Sequence, residues 1–364
     1  MSKPSKGLSK RPGSPYWYIN KTISGQRIRQ STGTTEINEA ELVLANITRK
    51  IWQQQALGVK PSILFREAAV RFILEKEKQG LSKSSMYAYE YNLSQLDRYI
   101  GGLSLNQIHS GTPQLREFIK DLQENGLKAR TINYAIASIN GVLSSCAREW
   151  RHDDGTPWLQ TAPLIKQLKQ TDQRPPYPIS WEEQRRLLME MNKTCPHLAN
   201  MILFKVNTGT REQEVCNLKW EWMKVIDGIR IFVVPSEIVK NRKDRIVVLN
   251  DIALSVVESQ RGKSPEYVFT YEGHKLRNIN TSAFVKAKTR ANVPCRVHDM
   301  KHTYGARLEF KGVPYDIRQQ LLGHKMQHIT SHYAPAQIKS LWEGSQAVCD
   351  IERHNFTPLR AVKL

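Results

Sequence analysis

Residues 321–334 read LLGHKMQHITSHYA. His324, His328 and His332 recur at every fourth position, and Tyr333 follows at once. On a helix, positions i, i+4 and i+8 share one face, so the spacing suits a metal-binding stripe, an ordinary polar face, or the approach to a reactive tyrosine. Spacing leaves all three readings open. The residues around this stretch have to separate them.

At 364 residues the chain exceeds one ordinary core and predicts two or three domains. With 40% hydrophobic and 24% charged residues it has the composition of a soluble globular protein. Its apolar runs, such as MILF at 201–204, are too short to span a bilayer. The opening MSKPSKGLSKRPGS lacks the apolar core of a secretory signal. The cysteines at 146, 195, 216, 295 and 349 form no CxxC pair, which argues against a disulfide framework or a zinc knuckle and for the cytoplasm. A formal charge of +20 predicts a polyanionic partner, nucleic acid, because Lys and Arg release counterions from a phosphate backbone. The first thirty residues carry Lys3, Lys6, Lys10, Arg11, Lys21, Arg27 and Arg29 and no acid, which suits a backbone-binding arm.

The pattern changes along the chain. Aromatic and β-branched residues in YWYIN and QRIRQST, around Ser24–Gly25, predict two strands, and the Ala, Leu and Ile spacing from Glu36 predicts a helix ending near Gly58. Residues 1–60 thus form a small module, too small for an enzyme core. Residues 61–172 predict a helical bundle, with Thr112 and Pro113 opening one helix. In another, Ile132, Ala135, Ile136, Ile139, Val142, Leu143 and Cys146 make one apolar stripe. Lys83, Lys128 and Arg130 stand at helix starts, where cations and free backbone N–H groups jointly meet phosphates; a solvated face is the competing reading. A proline-bearing linker near Gln173 leads into residues 173–364, predicted mixed but mainly helical, with strands at IRIFVV and RIVVL. The whole is a multidomain α+β chain. No P-loop or GxGxxG gives nucleotide hydrolysis or dinucleotide redox chemistry a foothold.

Four stretches stand in order over the last domain: TGTREQEVCNLKW around Arg211, IVKNRKDRIVVL around Lys240, VHDMKHTYGARL around His298, and LLGHKMQHITSHYA ending at Tyr333 and Ala334. In this order and spacing they resemble the tyrosine recombinases, or phage-type integrases. The resemblance implies a SAM-like core-site DNA-binding domain for the bundle and an arm-site-binding module at the N-terminus. It implies a homo-tetramer on double-stranded DNA, and leaves open whether DNA-bending and directionality factors take part.

The implied chemistry needs a nucleophile, stabilisation of charge on two non-bridging oxygens, and a proton for the departing 5′ oxygen. By resemblance, Tyr333 attacks and stores the bond energy as a 3′-phosphotyrosine, so no cofactor or metal is expected. Arg211 holds a phosphate oxygen through its planar fork, and Glu214, one helical turn on, orients the guanidinium. His298 assists proton transfer from the tyrosine. Lys240, preferred over Lys243 in a turn that also carries Arg242 and Arg245, protonates the leaving oxygen; the competing reading of that turn is a cationic hairpin gripping the backbone. His324, nine residues before Tyr333, is the phosphate hydrogen-bond donor of the LGH pattern, which answers the opening question. His328, His332 and His302 take polar or packing roles.

One position departs from the family pattern HxxR: His298-Asp299-Met300-Lys301 puts lysine where a second arginine is expected. Lysine keeps the charge but loses the bidentate geometry. Reduced but real activity is expected. The alternative is a catalytically impaired, integrase-like DNA-binding protein; a DNA-binding regulator and a type IB topoisomerase are the rivals from other classes. Beyond Ala334, Ile338, Leu341 and Trp342 read as exposed apolar positions suited to packing on a neighbouring protomer.

Overall fold

The computed structural model describes residues 5–57, 62–171, 173–240, 242–324 and 335–349, in two compact units, Met1–Gln173 and Arg174–Leu364. The first begins with an antiparallel sheet in the order β1-β2-β3, formed by β1 (Leu8–Lys10), β2 (Trp17–Ile23) and β3 (Gln26–Ser31), followed by helix α1 (Ile37–Leu57). The sequence pattern predicts only two of these strands, because three residues are too few to show a period. Ser24 and Gly25 both take positive φ, 48° and 84°, the backbone a two-residue hairpin turn demands. Ile19 and Ile23 bury one face of β2 with Leu8, Ala40, Leu44 and Ile51.

Four helices follow: α2 (Phe65–Lys78), α3 (Lys83–Ile100), α4 (Pro113–Glu124) and α5 (Ala129–Arg148). Their starts are legible chemistry. The Leu64 N–H donates to Glu67 Oε2 at 2.9 Å, Ser82 accepts from the Ser85 N–H, and Pro113 opens α4 where a missing N–H costs nothing. Every member of the predicted α5 stripe is buried, packed with Phe65, Phe72, Leu96, Ile100 and Phe118. From the same helix Asn133 and Asn140 pin the segment beyond it, through bonds to Leu168 and Ile165.

The second unit contains α6 (Trp181–Thr194), α7 (Pro196–Thr208), α8 (Glu212–Cys216), then strands β4 (Met223–Ile226), β5 (Ile229–Val234) and β6 (Arg245–Val248). After these come α9 (Asp251–Glu258), a small ladder of β7 (Thr270–Tyr271) and β8 (His274–Lys275), α10 (Ser282–Arg290), α11 (Asp299–Phe310), α12 (Tyr315–Leu321) and α13 (Pro335–Gln346). β4, β5 and β6 form an antiparallel meander. Both its faces are covered. Phe232, Val234 and Val247 join the large helical core, while Ile231 and Val248 join a second core with Tyr304, Leu308 and Leu321. IRIFVV is accordingly a continuous apolar run, as a strand buried on two sides should be.

The second core corrects the reading of the C-terminal segment. Ile338 is fully buried, Leu341 nearly so, and Trp342 packs against the same cluster. An isolated i, i+3, i+4 triplet looks the same whether its partner lies in its own domain or in a neighbour. Here the partner is the chain's own sheet and α12. No helix among the described residues is long and apolar enough to cross a membrane.

Candidate active site

A cavity of about 540 Å³ in the second unit is lined by Arg211, Lys240, His298, Lys301 and His324, brought together from the four separate stretches. Tyr333, His328 and His332 lie outside the described residues. Among those described, no group of three or more His, Cys, Asp or Glu side chains is placed to hold a metal ion.

Arg211 is positioned by backbone geometry first. α7 ends at Gly209 with φ 61°, and a Cβ there would lie 2.6 Å from the Tyr304 ring, so conformation and space both require glycine. Arg211 follows in extended conformation just ahead of α8. Its backbone N–H donates to Glu214 Oε2 at 2.8 Å and its NH1 to Glu214 Oε1 at 3.0 Å. Burial pushes the Glu214 carboxyl up, but the Arg245 charge and the Arg211 donors outweigh it and hold it below the usual carboxylate range.

Arg245 is a neighbour of the cavity residues to which the sequence reading gave no place of its own. Counted there among the cations of the Lys240 turn, it is in fact buried. Its NH1 donates to Glu214 Oε2, and its NH2 donates to the carbonyls of Gly209 at 3.2 Å and Leu321 at 3.0 Å. One guanidinium thus ties β6 to the Arg211 loop and to the end of α12. Gly323, φ 60°, lets the chain pass: a Cβ there would sit 2.5 Å from Arg245 Nε. Lys205 was missed altogether, because a lysine on an otherwise apolar helix carries no motif. It is fully buried in α7, its Nζ donates to the Thr210 carbonyl at 2.6 Å, and burial lowers its pKa to about 8.

Lys301 is buried on α11 and donates to the Leu322 carbonyl. Burial, reinforced by the charges of Arg245 and Arg211, brings its pKa down to about 6. Lys205, Arg211, Arg245 and Lys301 therefore crowd around a single carboxylate. This cluster of basic groups, with Lys301 ready to take a proton as an anion arrives, suits an incoming phosphodiester, whose negative charge relieves the mutual repulsion.

The imidazoles complete the wall. His298 stands at the start of α11, its ring centroid 4.9 Å from that of His302, and burial followed by the His302, Lys205 and Lys301 charges lowers its pKa. His302, read from sequence as a packing group, also lines the cavity. His324 sits past α12, its Nδ1 2.6 Å from Gln319 Oε1, and burial ahead of the neighbouring cations lowers its pKa too. Lys240 is exposed in the loop joining β5 to β6, which is closed by the Ser236 N–H donating to Asp244 Oδ1 at 2.9 Å. The linker contributes as well. Pro176 and Pro178 line the cavity because the Tyr177 and Ile179 N–H groups donate to Asp299 and Thr303 of α11, at 3.3 and 3.0 Å.

In the first unit the nominated cations fall on different surfaces. Arg27 pairs with Thr22 and Arg29 with Asn20, all on the exposed face of the N-terminal sheet. Lys21 lies opposite Ile28, between Ile19 and Ile23, half-buried on the inner face and packed against Gly7. Lys83 opens α3, Lys128 immediately precedes α5 and Arg130 is its second residue; all three are exposed. The Arg130 Nε donates to the Tyr134 hydroxyl at 3.3 Å.

The chain is similar to known proteins over most of its length. Residues 179–339 match the model of the phage integrase family, residues 7–56 that of the phage integrase N-terminal domain, and residues 73–149 that of the phage integrase N-terminal SAM-like domain. The integrase of Salmonella phage P22 is 25% identical over 370 aligned positions, covering 92% of this chain and 92% of its own. The tyrosine recombinase XerD of Rickettsia bellii is 25% identical over 289 positions, 72% of this chain and 92% of its own. Among solved structures, a lambda integrase tetramer bound to a Holliday junction superposes with TM-score 0.59 at 13% identity, covering 93% of this chain and 96% of that one. The Tn1549 transposon integrase in complex with circular intermediate DNA gives 0.58 at 17% identity, covering 80% and 100%. At these identities the structural likeness speaks for the fold.

Proposed function

Because the chain belongs to the phage integrase family of tyrosine recombinases, we propose that it cuts and rejoins DNA at specific sites through a 3′-phosphotyrosine, integrating or excising a phage or other mobile element. The observation that carries this reading is the convergence of Arg211, Lys240, His298, Lys301 and His324 on one cavity. Tyr333 supplies the nucleophile, on the strength of its place nine residues after His324.

The roles follow from the chemistry of each group. The Tyr333 hydroxyl attacks phosphorus as the bond to the 5′ oxygen breaks, so one phosphoester replaces another. His298, held neutral, receives the tyrosine proton. Lys240, in the exposed loop, gives a proton to the leaving 5′ oxygen. Arg211, Lys301 and His324 stabilise the non-bridging oxygens, and Glu214 fixes the Arg211 fork. Attack by a 5′-hydroxyl of a second strand reverses the step and completes exchange. The chain is further proposed to act in the cytoplasm in three parts: an arm-site module over 1–60, a core-site bundle over 61–172 and the catalytic domain over 173–364. Its assembly is a homo-tetramer on duplex DNA, as for the lambda neighbour on its junction.

The test is capture of the covalent intermediate. Nicked duplexes with a randomised core are incubated with the protein in EDTA, and adducts are isolated and sequenced. Wild type is expected to give adducts converging on one crossover sequence, and Tyr333→Phe none. Adducts on every sequence alike would favour a topoisomerase. No adduct at all would leave a DNA-binding protein without cleavage.

A further inference from the structure

The strongest observation left over by the assigned roles is a second arginine in the cavity. Arg318 of α12 lines the same cavity as Arg211, Lys301 and His324. Its position is set by the element that receives Lys301. Leu322 closes the last turn of α12 by donating its N–H to the Arg318 carbonyl, and the Leu322 carbonyl accepts from Lys301 Nζ. Residues 318 and 322 lie one turn apart, so the guanidinium and the ammonium reach the cavity from one stretch of its wall.

Arg318 is held in a provisional arrangement. Its NH1 meets Glu309 Oε1 at 2.8 Å, the arginine side chain 21% exposed and the glutamate 69%. Its Nε is buried and has no hydrogen-bond partner among the described residues. A guanidinium presents five donors in a fixed fork, and this one leaves part of the fork unused beside a cavity built of cations. An ion pair whose acid is so exposed is weak, so a phosphate oxygen can displace Glu309 without disturbing the fold. Lys301, by contrast, already has one N–H on the Leu322 carbonyl and cannot offer a planar bidentate contact.

We propose that Arg318 is a further catalytic residue, donating to a non-bridging oxygen of the scissile phosphate and supplying the second guanidinium that Lys301 does not. Glu309 parks the side chain in the absence of DNA. This rests on the recombinase reading above, and the experiment separates the two.

Single-turnover adduct formation is measured on the nicked duplex selected by wild type, with the phosphate normal or replaced by a methylphosphonate at the scissile or the adjacent position. Failure of wild type to form adducts overturns the recombinase reading and this proposal with it. With wild type active, Arg318→Gln is expected to slow cleavage at least about tenfold, within the range for loss of a transition-state donor, at unchanged melting temperature. That deficit should shrink below about threefold on the scissile methylphosphonate, where the charge to be stabilised is gone. Glu309→Gln, which releases the arginine, should match or exceed the wild-type rate. Wild-type cleavage by Arg318→Gln, an undiminished deficit on the scissile methylphosphonate, or a deficit relieved only at the adjacent position would each overturn the assignment. If Arg318→Gln does not fold, a tenfold slower Glu309→Gln would do the same.

Discussion

Glu214 holds two arginines with one carboxylate: Oε1 accepts from Arg211 at 3.0 Å, and Oε2 accepts from the buried Arg245. The exposed edge of the pair faces the cavity and the buried edge faces the core. The same carboxylate therefore orders a cavity-lining guanidinium and neutralises a buried one. Glu214→Gln removes the counter-charge of a guanidinium that cannot reach water, a loss of about 3–5 kcal/mol for a buried pair broken on one side. Arg245→Met should cost a similar amount. The double variant should cost clearly less than the two losses added, because no stranded charge remains. Urea denaturation of the three variants measures the coupling; strict additivity would show that the carboxylate does not bridge the two.

Arg245 also shows where sequence reasoning stops. The helical stripe of α5 and the start of α4 at Thr112 and Pro113 were legible because local periodicity and the missing proline N–H fix them. That Arg211, His298, Lys301 and His324 would gather in one place was legible through the order and spacing that carry the family resemblance. Arg245, by contrast, lies among Lys240, Arg242 and Lys243, and local sequence cannot tell a cation on a loop from one at the first position of a strand aimed inward. Lys205 and Arg318 are silent for the same reason: their partners, Thr210 and Glu309, lie beyond the end of the helix that carries each, and only tertiary structure pairs them. The strand Leu8–Lys10 was too short to declare itself.

Lys301 gives the site a pH dependence that an arginine would not. With its pKa brought down to about 6, the amine is largely neutral in the free protein above that pH, and the positive charge it offers the cavity is lost as pH rises. An arginine at 301 keeps its proton throughout. At subsaturating DNA, where rates report the free enzyme, the ratio of Lys301→Arg to wild-type cleavage should climb between pH 6 and 8, approaching roughly tenfold per unit. A ratio flat across this window would mean that Lys301 stays charged.

Lys205 should reveal itself in stability rather than in binding. The unfolded chain keeps a proton on this lysine until about pH 10.4, whereas the folded chain releases it at about 8. Between those values the unfolded state binds more protons, so folding stability rises with pH, at up to about 1.4 kcal/mol per unit. Lys205→Met lacks this contribution. Wild type should gain on the variant from pH 8 to 10 in chemical denaturation. The variant should also cleave more slowly at all pH values, since the Thr210 carbonyl that steadies the Arg211 loop loses its donor. Parallel stability curves would exclude a buried lysine that titrates near 8.

The C-terminal helix belongs to the second unit's own core. Ile338 and Leu341 of α13 pack with Ile231, Val248, Tyr304 and Leu321, the residues behind the Arg211 and His324 walls. Ser345 adds a polar tie, its carbonyl accepting from the buried Asn250 side chain at 3.2 Å. Removing residues 336–364 should therefore destabilise the isolated protomer, and not merely weaken contacts between protomers. Ile338→Ala, which empties a fully buried position, should cost about 2–5 kcal/mol. Lys339→Ala, on the exposed side of the same helix, should stay within about 0.5 kcal/mol of wild type. Thermal unfolding of the two variants at concentrations too low for assembly decides the matter. Equal stability of both, with only oligomer formation impaired by Ile338→Ala, would return the segment to the role of a contact with a neighbour.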